Sequence, residues 1–409
     1  MKKILSINGT SFYSTGNIIK ELEENLSNVY DFYKITADGN GQKNFKNPSN
    51  YLERQIGKII CQSIGSDGFG FKFTNRRVTK YIESVSPDLI HIHNVHGYWI
   101  NLENIVRYAR NKNVPIIYTL HDCWTFTGRC AHFFDSKCFE WKIGCKKCEY
   151  KSAYPRSRFL DFTAEQWKKK KELLTGNDII FVSPSFWLKT FFSQSFLKNE
   201  LIFVINNAID CRFFSKVKKE KVIETQKKIV LSIANPFTPE KGLVEINQLS
   251  EIMSDDYLFV CVGNVQNGTF SKKIVNIPAT KDKELLAKLY KQAHCFCLFS
   301  HQENYPTVLM EAIACGTPII TYDIGGCKEI CNNGTNGYIV EKFDYKQIIN
   351  AIGSVKKLNR ETIVQKAQKH NLDVFSQKYR DIYEYAFNLD KKERPPSKSF
   401  HKNIFPLLL

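Results

Sequence analysis

Short apolar runs rich in β-branched residues recur along this chain, each bounded by Pro, Asn or Gly and followed by a longer amphipathic stretch. That alternation restricts the fold more than any other feature. Residues 4–8 (ILSIN), 88–93 (DLIHIH), 115–120 (PIIYTL) and 179–183 (IIFVS) carry it in the first half, and residues 229–233, 257–262, 295–299 and 318–321 in the second. Continuous runs suit parallel strands covered on both faces. Strands alternating with helices build βαβ units, so the expected class is α/β with two doubly wound sheets in succession. The pattern breaks at residues 204–210 (VINNAID), ahead of a charged stretch at 216–228. A first domain is therefore expected over 1–211, with a Cys-rich insertion near 123–150, and a second over 212–375. An amphipathic helix should follow over 376–390, and a loosely ordered tail over 391–409, where Pro395-Pro396 and a short apolar end stand.

Charge and apolar patterning exclude several classes. No apolar run approaches the ~18–20 residues that cross a bilayer. Met1-Lys2-Lys3 mimics a signal start, but the four residues that follow are too few for a signal core and read as a buried strand. A cytoplasmic protein is expected, with its thirteen cysteines largely small buried hydrophobes, Cys295, Cys297, Cys315 and Cys327 among them. The net charge of +17 favours polyanionic partners. Its densest stretch, 137–171, contains Lys168-Lys169-Lys170-Lys171. That run reads either as a solvated helix face or as a contact for an anionic membrane surface, helped by Trp167. No zinc-finger, RRM or KH signature accompanies it, so nucleic acid is not an expected partner.

The chemistry concentrates at residues 300–318 (SHQENYPTVLMEAIACGTP), a strand end, a polar loop, and a helix begun by Pro306 and ended by Gly316. Ligands of open α/β sheets bind beyond the carboxyl ends of the strands, where this loop lies. Glu303 in the loop and Glu311 in the helix could each accept hydrogen bonds from vicinal sugar hydroxyls. The helix N-terminus offers N–H donors to a diphosphate.

In this context the segment resembles the Glu-x7-Glu signature of retaining GT-B glycosyltransferases of the family-4 type, with its trailing Ala-Cys-Gly-Thr-Pro. The likeness extends to residues 204–210, where Asn206 and Ala208 replace a usual Pro and Gly, and to the glycine loop 323–329. Residues 239–243 (PEKGL) resemble the family's Lys-Gly motif, while the arginine that usually precedes it is replaced by residues 232–236 (SIANP). The resemblance implies two Rossmann-like domains facing across a cleft, with the last helix returning to the first. It implies transfer of a hexose from a nucleotide diphosphate sugar to a glycan acceptor with retention, needing no cofactor. Glu303 and His121 would be catalytic. Glu311 would hold the ribose and Lys241 the diphosphate, with Asn304 and Tyr305 beside them and Gly16 in an N-terminal loop at the Ser14-Thr15-Gly16 turn.

Other features stay open. His91 and His93 share a strand face, and with His96 they read as loop structure or acceptor contacts rather than a metal site. Cys130-x7-Cys138-x6-Cys145-x2-Cys148 is either a structural zinc site or a metal-free apolar loop. The stretch around it, with Trp124 and Trp141, is similar to an insertion in colanic-acid, exopolysaccharide and O-antigen transferases. Those enzymes imply a lipid-linked oligosaccharide acceptor at the inner face of the membrane. A non-hydrolysing sugar-nucleotide epimerase would share the architecture. A nicotinamide dehydrogenase is disfavoured because no Gly-x-Gly-x-x-Gly follows the first strand.

Overall fold

The computed structural model describes residues 1–389 apart from 12, 39–44, 47–50, 70–71, 134–136, 153 and 177. The expected tail at 391–409 lies outside the described residues. The chain divides into two compact units, one made of Met1–Asn206 with the chain from Phe375 onward, the other of Asn207–Val374.

The first unit holds β1 (Lys2–Asn8), β2 (Tyr30–Thr36), β3 (Phe45–Lys46), β4 (Leu89–Ile92), β5 (Ile116–Thr119), β6 (Ile179–Ser183) and β7 (Ile202–Val204). They form one sheet in the order β3-β2-β1-β4-β5-β6-β7, every pair parallel. Central strands such as Leu-Ile-His-Ile of β4 are buried throughout, as covering helices on both faces require. The helix Tyr13–Leu26 begins before the expected turn, so Gly16 sits in a helical first turn and not at a loop tip. A Cβ there would come within 2.5 Å of the Ser11 carbonyl carbon, so the missing side chain lets the helix start close to the returning chain. The final helix, Leu372–Asn388, sends Tyr379 and Tyr383 into this unit, where their hydroxyls meet Thr119 Oγ1 (2.9 Å) and His91 Nδ1 (2.8 Å).

The second unit holds β8 (Lys228–Ile233), β9 (Tyr257–Val262), β10 (Ile274–Ile277), β11 (Cys295–Leu298), β12 (Ile319–Tyr322) and β13 (Gly337–Val340), again all parallel, ordered β10-β9-β8-β11-β12-β13. Alternate residues of β11 feed two separate cores. Phe296 and Leu298 pack on one face, Cys295 and Cys297 on the other. Cys315 and Cys327 are also buried.

The basic helix Thr163–Leu174 departs from the sequence reading. Lys170 is fully buried, its Nζ donating to Trp124 O (2.6 Å) and Thr127 O (3.2 Å) and lying over the Trp124 ring. Lys169 pairs with Glu103 at 2.6 Å. Trp167 is buried rather than exposed, its indole N–H donating to Trp141 O at 2.9 Å. Helical spacing places residues 167, 170 and 174 on one face, and that face is the packed one. The run is therefore neither a uniformly solvated face nor a membrane contact aided by Trp167.

Candidate active site

In the second unit the strand order reverses between β8 and β11, the position at which open α/β sheets leave a crevice for ligands. The loop after β8 leads into a 3-10 turn, Pro239–Lys241, and the loop after β11 carries Glu303. Lys241 Nζ lies 2.6 Å from Glu303 Oε1. Both sequence-predicted groups thus meet at the switch point, charged partner to charged partner.

Backbone geometry holds them there. His301 N donates to Glu240 O at 2.8 Å, tying the turn to the Glu303 loop. Gly325, at φ +53°, lies so close to the same loop that a Cβ would stand 1.7 Å from the Glu303 carbonyl oxygen. Only glycine allows that approach. Gly326 N then donates to Asn304 O at 2.6 Å. The glycine loop after β12 is thereby a clamp on the acidic loop.

Glu311 sits on the helix Thr307–Ala314, and Tyr290 donates its hydroxyl to Glu311 Oε2 at 3.0 Å. Burial, then the adjacent carboxylate, drives the Tyr290 hydroxyl far up, so it remains a donor. Tyr305 is placed differently from the expectation of a donor contact. Its ring is buried in the core, with its hydroxyl 3.4 Å from His370 Nδ1 and its carbonyl accepting from Asn207. Asn304 stays partly exposed in the loop. The sequence reading passed over two groups here, His301 and the fully buried Glu245, joined at 2.7 Å beside the Lys241 turn. The only signal for them was the adjacency of His301 to Glu303.

The first unit gathers four histidines at the ends of β4 and β5. His91 is held between Tyr383 and Thr119, both at 2.8 Å. His93 Nδ1 lies 3.0 Å from His121 Nε2, with the rings stacked. Burial lowers the His121 pKa to about 4, against the pull of Asp122, and lowers His91 to about 3. His121 is therefore a neutral imidazole at pH 7, suited to hydrogen bonding a hydroxyl rather than to donating a proton. His96 differs. Burial opposes its charge, but Asp122 at 2.7 Å and Asp67 outweigh it, and its pKa is raised. Burial opposes the Asp122 charge too, yet His96 and the Trp124 N–H bring its pKa down to about 2.

The four insertion cysteines line one cavity, together with Thr127, Phe133 and Trp141. Among the described residues no three Cys, His, Asp or Glu side chains form a ready metal-ligating group.

Residues 213–370 match the family described as glycosyl transferases group 1. Over 387 residues the chain is 28% identical to the putative colanic acid biosynthesis glycosyl transferase WcaC of Escherichia coli (strain K12), covering 89% of this chain and 90% of that protein. A shorter match, 26% over 170 residues, reaches the Campylobacter jejuni N,N'-diacetylbacillosaminyl-diphospho-undecaprenol alpha-1,3-N-acetylgalactosaminyltransferase, covering 39% of this chain and 45% of that one. Among solved structures, Anabaena Alr3699/HepE in complex with UDP-glucose is similar with a TM-score of 0.65 at 12% identity, over 94% of this chain and 100% of that chain.

Proposed function

We propose that the protein is a glycosyltransferase that moves a hexose from a nucleotide diphosphate sugar to a lipid-linked oligosaccharide with retention of configuration, a reading supported by the match of residues 213–370 to the group 1 glycosyl transferases and by the GT-B fold of the whole chain. The product would belong to a bacterial surface polysaccharide, the reading that the colanic acid relative supports. The UDP-glucose complex of the Anabaena protein supports the donor class, and the undecaprenol-linked acceptor of the Campylobacter enzyme supports the acceptor class.

The observation that carries this reading is the Lys241–Glu303 pair at the β8/β11 switch point. Lys241 would exchange Glu303 for the donor diphosphate, meeting the charge that grows on it as the glycosidic bond breaks. Glu303, released from its partner, would accept hydrogen bonds from hexose hydroxyls. Glu311 would take the ribose hydroxyls, already oriented by Tyr290. Backbone N–H groups at the start of Thr307–Ala314 would add positive potential. On the first unit, His121, neutral, is suited to bond a sugar hydroxyl.

A lipid-linked acceptor calls for a surface that can meet a bilayer. The amphipathic helix Tyr51–Ile64 leaves Leu52, Ile56, Ile59 and Ile60 exposed, alongside Lys58. Exposed Phe159 and Leu160 adjoin it, both backbone N–H groups donating to Ser63 O. Apolar side chains beside a basic one suit the headgroup boundary of an anionic leaflet. Among the described residues no helix is long and apolar enough to cross a membrane. Peripheral docking at the inner face through this helix is the localisation proposed.

The test is a panel of UDP- and GDP-sugars with a lipid-diphosphate saccharide acceptor, scored by nucleotide release and by the anomeric configuration of the product. Release that needs acceptor and yields the donor's own anomer supports the reading. Acceptor-independent turnover to an epimerised sugar nucleotide, or an inverted product, overturns it.

A further inference from the structure

The loop after β11 grips the Lys241 turn at three points. His301 N donates to Glu240 O at 2.8 Å, on one side of Lys241. On the other side Gly242, at φ +84°, lies so close to Phe299 that a Cβ would stand 2.9 Å from Phe299 Cβ and 3.0 Å from its carbonyl oxygen. The third point is a side-chain bond. His301 Nε2 lies 2.7 Å from Oε1 of Glu245, which stands in the first turn of the helix Leu243–Ile252. The carbonyl of the same histidine accepts from Lys342 Nζ at 3.2 Å, and the Phe343 ring meets its imidazole edge to face, centroids 5.5 Å apart. Amide, carbonyl and side chain of one residue are thus all engaged, two positions before Glu303.

Resting on the donor-site reading of Lys241 and Glu303, we propose that His301 is a positioning residue: its bond to buried Glu245 fixes the Glu303 loop on the Lys241 turn, so that ammonium and carboxylate meet the donor in register. The Lys241–Glu303 pair cannot set that register by itself. It is open to water, with side chains 41% and 17% exposed, and it must part when a diphosphate takes the lysine. Nor can the main-chain contacts alone. Glu240 and Lys342 are exposed, and water competes for hydrogen bonds made there. Glu245 is different, since its side chain is 0% exposed and water reaches it only if the helix lifts away.

Stability does not explain the pair. A buried ion pair and a well-packed apolar pair of similar volume often leave a fold about equally stable, because desolvation offsets the attraction. What an apolar pair lacks is direction. A hydrogen bond weakens steeply as its angle departs from the line, so it admits a narrow range of ring positions. The ring so held belongs to the residue whose amide meets the Lys241 turn and whose chain leads into Glu303.

The experiment compares the full chain with His301→Leu, His301→Gln and the double variant His301→Leu with Glu245→Leu. Glutamine places an amide N–H where Nε2 stands. The readouts are calorimetric titration with UDP and GDP, thermal unfolding, and amide hydrogen exchange across residues 300–306. His301→Leu should weaken whichever nucleotide the wild type binds by about tenfold, as partial loss of the Lys241 contact implies, and should speed exchange in the loop. His301→Gln should restore most of both. The double variant should regain the melting temperature that His301→Leu loses, since no buried carboxylate is left without a partner, yet bind nucleotide as weakly as His301→Leu. A merely structural pair would let binding return with stability, and that result overturns the proposal. So does His301→Gln performing no better than His301→Leu. If His301→Leu does not fold, the double variant and His301→Gln carry the comparison. A wild type that binds neither nucleotide overturns the donor reading together with this role, whereas a wild type matched in affinity by all three variants overturns the role of His301 alone.

Discussion

Replacing Glu303 by Gln and Lys241 by Ala should separate the two halves of the proposed donor site in opposite directions. The pair is 2.6 Å apart, but the Lys241 side chain is 41% exposed and that of Glu303 17%. An ion pair so open to water contributes about 0–1 kcal/mol, so neither change should lower the stability of the fold by more than that. For nucleotide binding the signs differ. Glu303 competes with a diphosphate for Lys241, and its neutralisation should leave nucleoside diphosphate affinity unchanged or tightened by up to about fivefold, the equivalent of 1 kcal/mol. Lys241→Ala removes a charge-assisted partner worth about 1.5–3 kcal/mol and should weaken the same nucleotide by about 10- to 150-fold. Turnover should fall steeply in both. Calorimetric titration with UDP and with GDP, alongside urea unfolding, makes the measurement. If Glu303→Gln weakens nucleotide binding as much as Lys241→Ala, Glu303 does not act on the sugar and the assignment of roles fails.

Three further outcomes are expected. Asp122 has its pKa lowered from 3.8 to about 2, so its stabilisation is present above pH 3.8 and lost as pH falls through 2. Asp122→Asn should therefore cost about 2–3 kcal/mol at pH 7 and progressively less toward pH 2, and a cost in unfolding that does not change with pH would refute the ion pair with His96. Gly325→Ala must strain a φ of +53° and push the Glu303 loop aside, so turnover should drop far more than the ~1–2 kcal/mol of backbone strain suggests, and an unchanged rate would show that the clamp is dispensable. Flotation with anionic vesicles should be abolished by Ile59→Asp with Ile60→Asp and should survive Lys168→Gln with Lys171→Gln, and the reverse pattern would move the docking surface to the basic helix.

The strands that the sequence declared are those buried on both faces. Residues 179–183 and 257–262 were legible to the residue as β6 and β9 because nothing in them is polar enough for solvent. β2, β3, β7, β10 and β13 were not anticipated. Tyr-Asp-Phe-Tyr-Lys-Ile-Thr of β2 and Ile-Val-Asn-Ile of β10 are partly exposed and β13 opens on a glycine, so these three show no unbroken apolar run. β7 does lie in one, residues 201–205, that adjoins the break at 204–210. The Glu303 segment was legible because its composition combines a strand end, a helix start and acids. The inward turn of Tyr305 was not, since one aromatic in a polar loop fits either destination. Nor was the burial of Lys170, because four consecutive lysines read as surface unless the carbonyls awaiting one amine are known.

The return of the last helix to the first unit has an architectural corollary. The chain passes between the units only twice, near residues 206–207 and 374–375, so the second unit is topologically an insertion within the first. Its sequence can diverge, or be exchanged, as one uninterrupted cassette, while the fabric that Tyr379 and Tyr383 complete around His91 is left whole. Under the proposed assignment of the donor to the second unit, donor choice and the histidine cluster are separately heritable. Exchanging residues 207–374 for the corresponding stretch of a nucleotide-sugar enzyme would then transplant the first without rewriting the second.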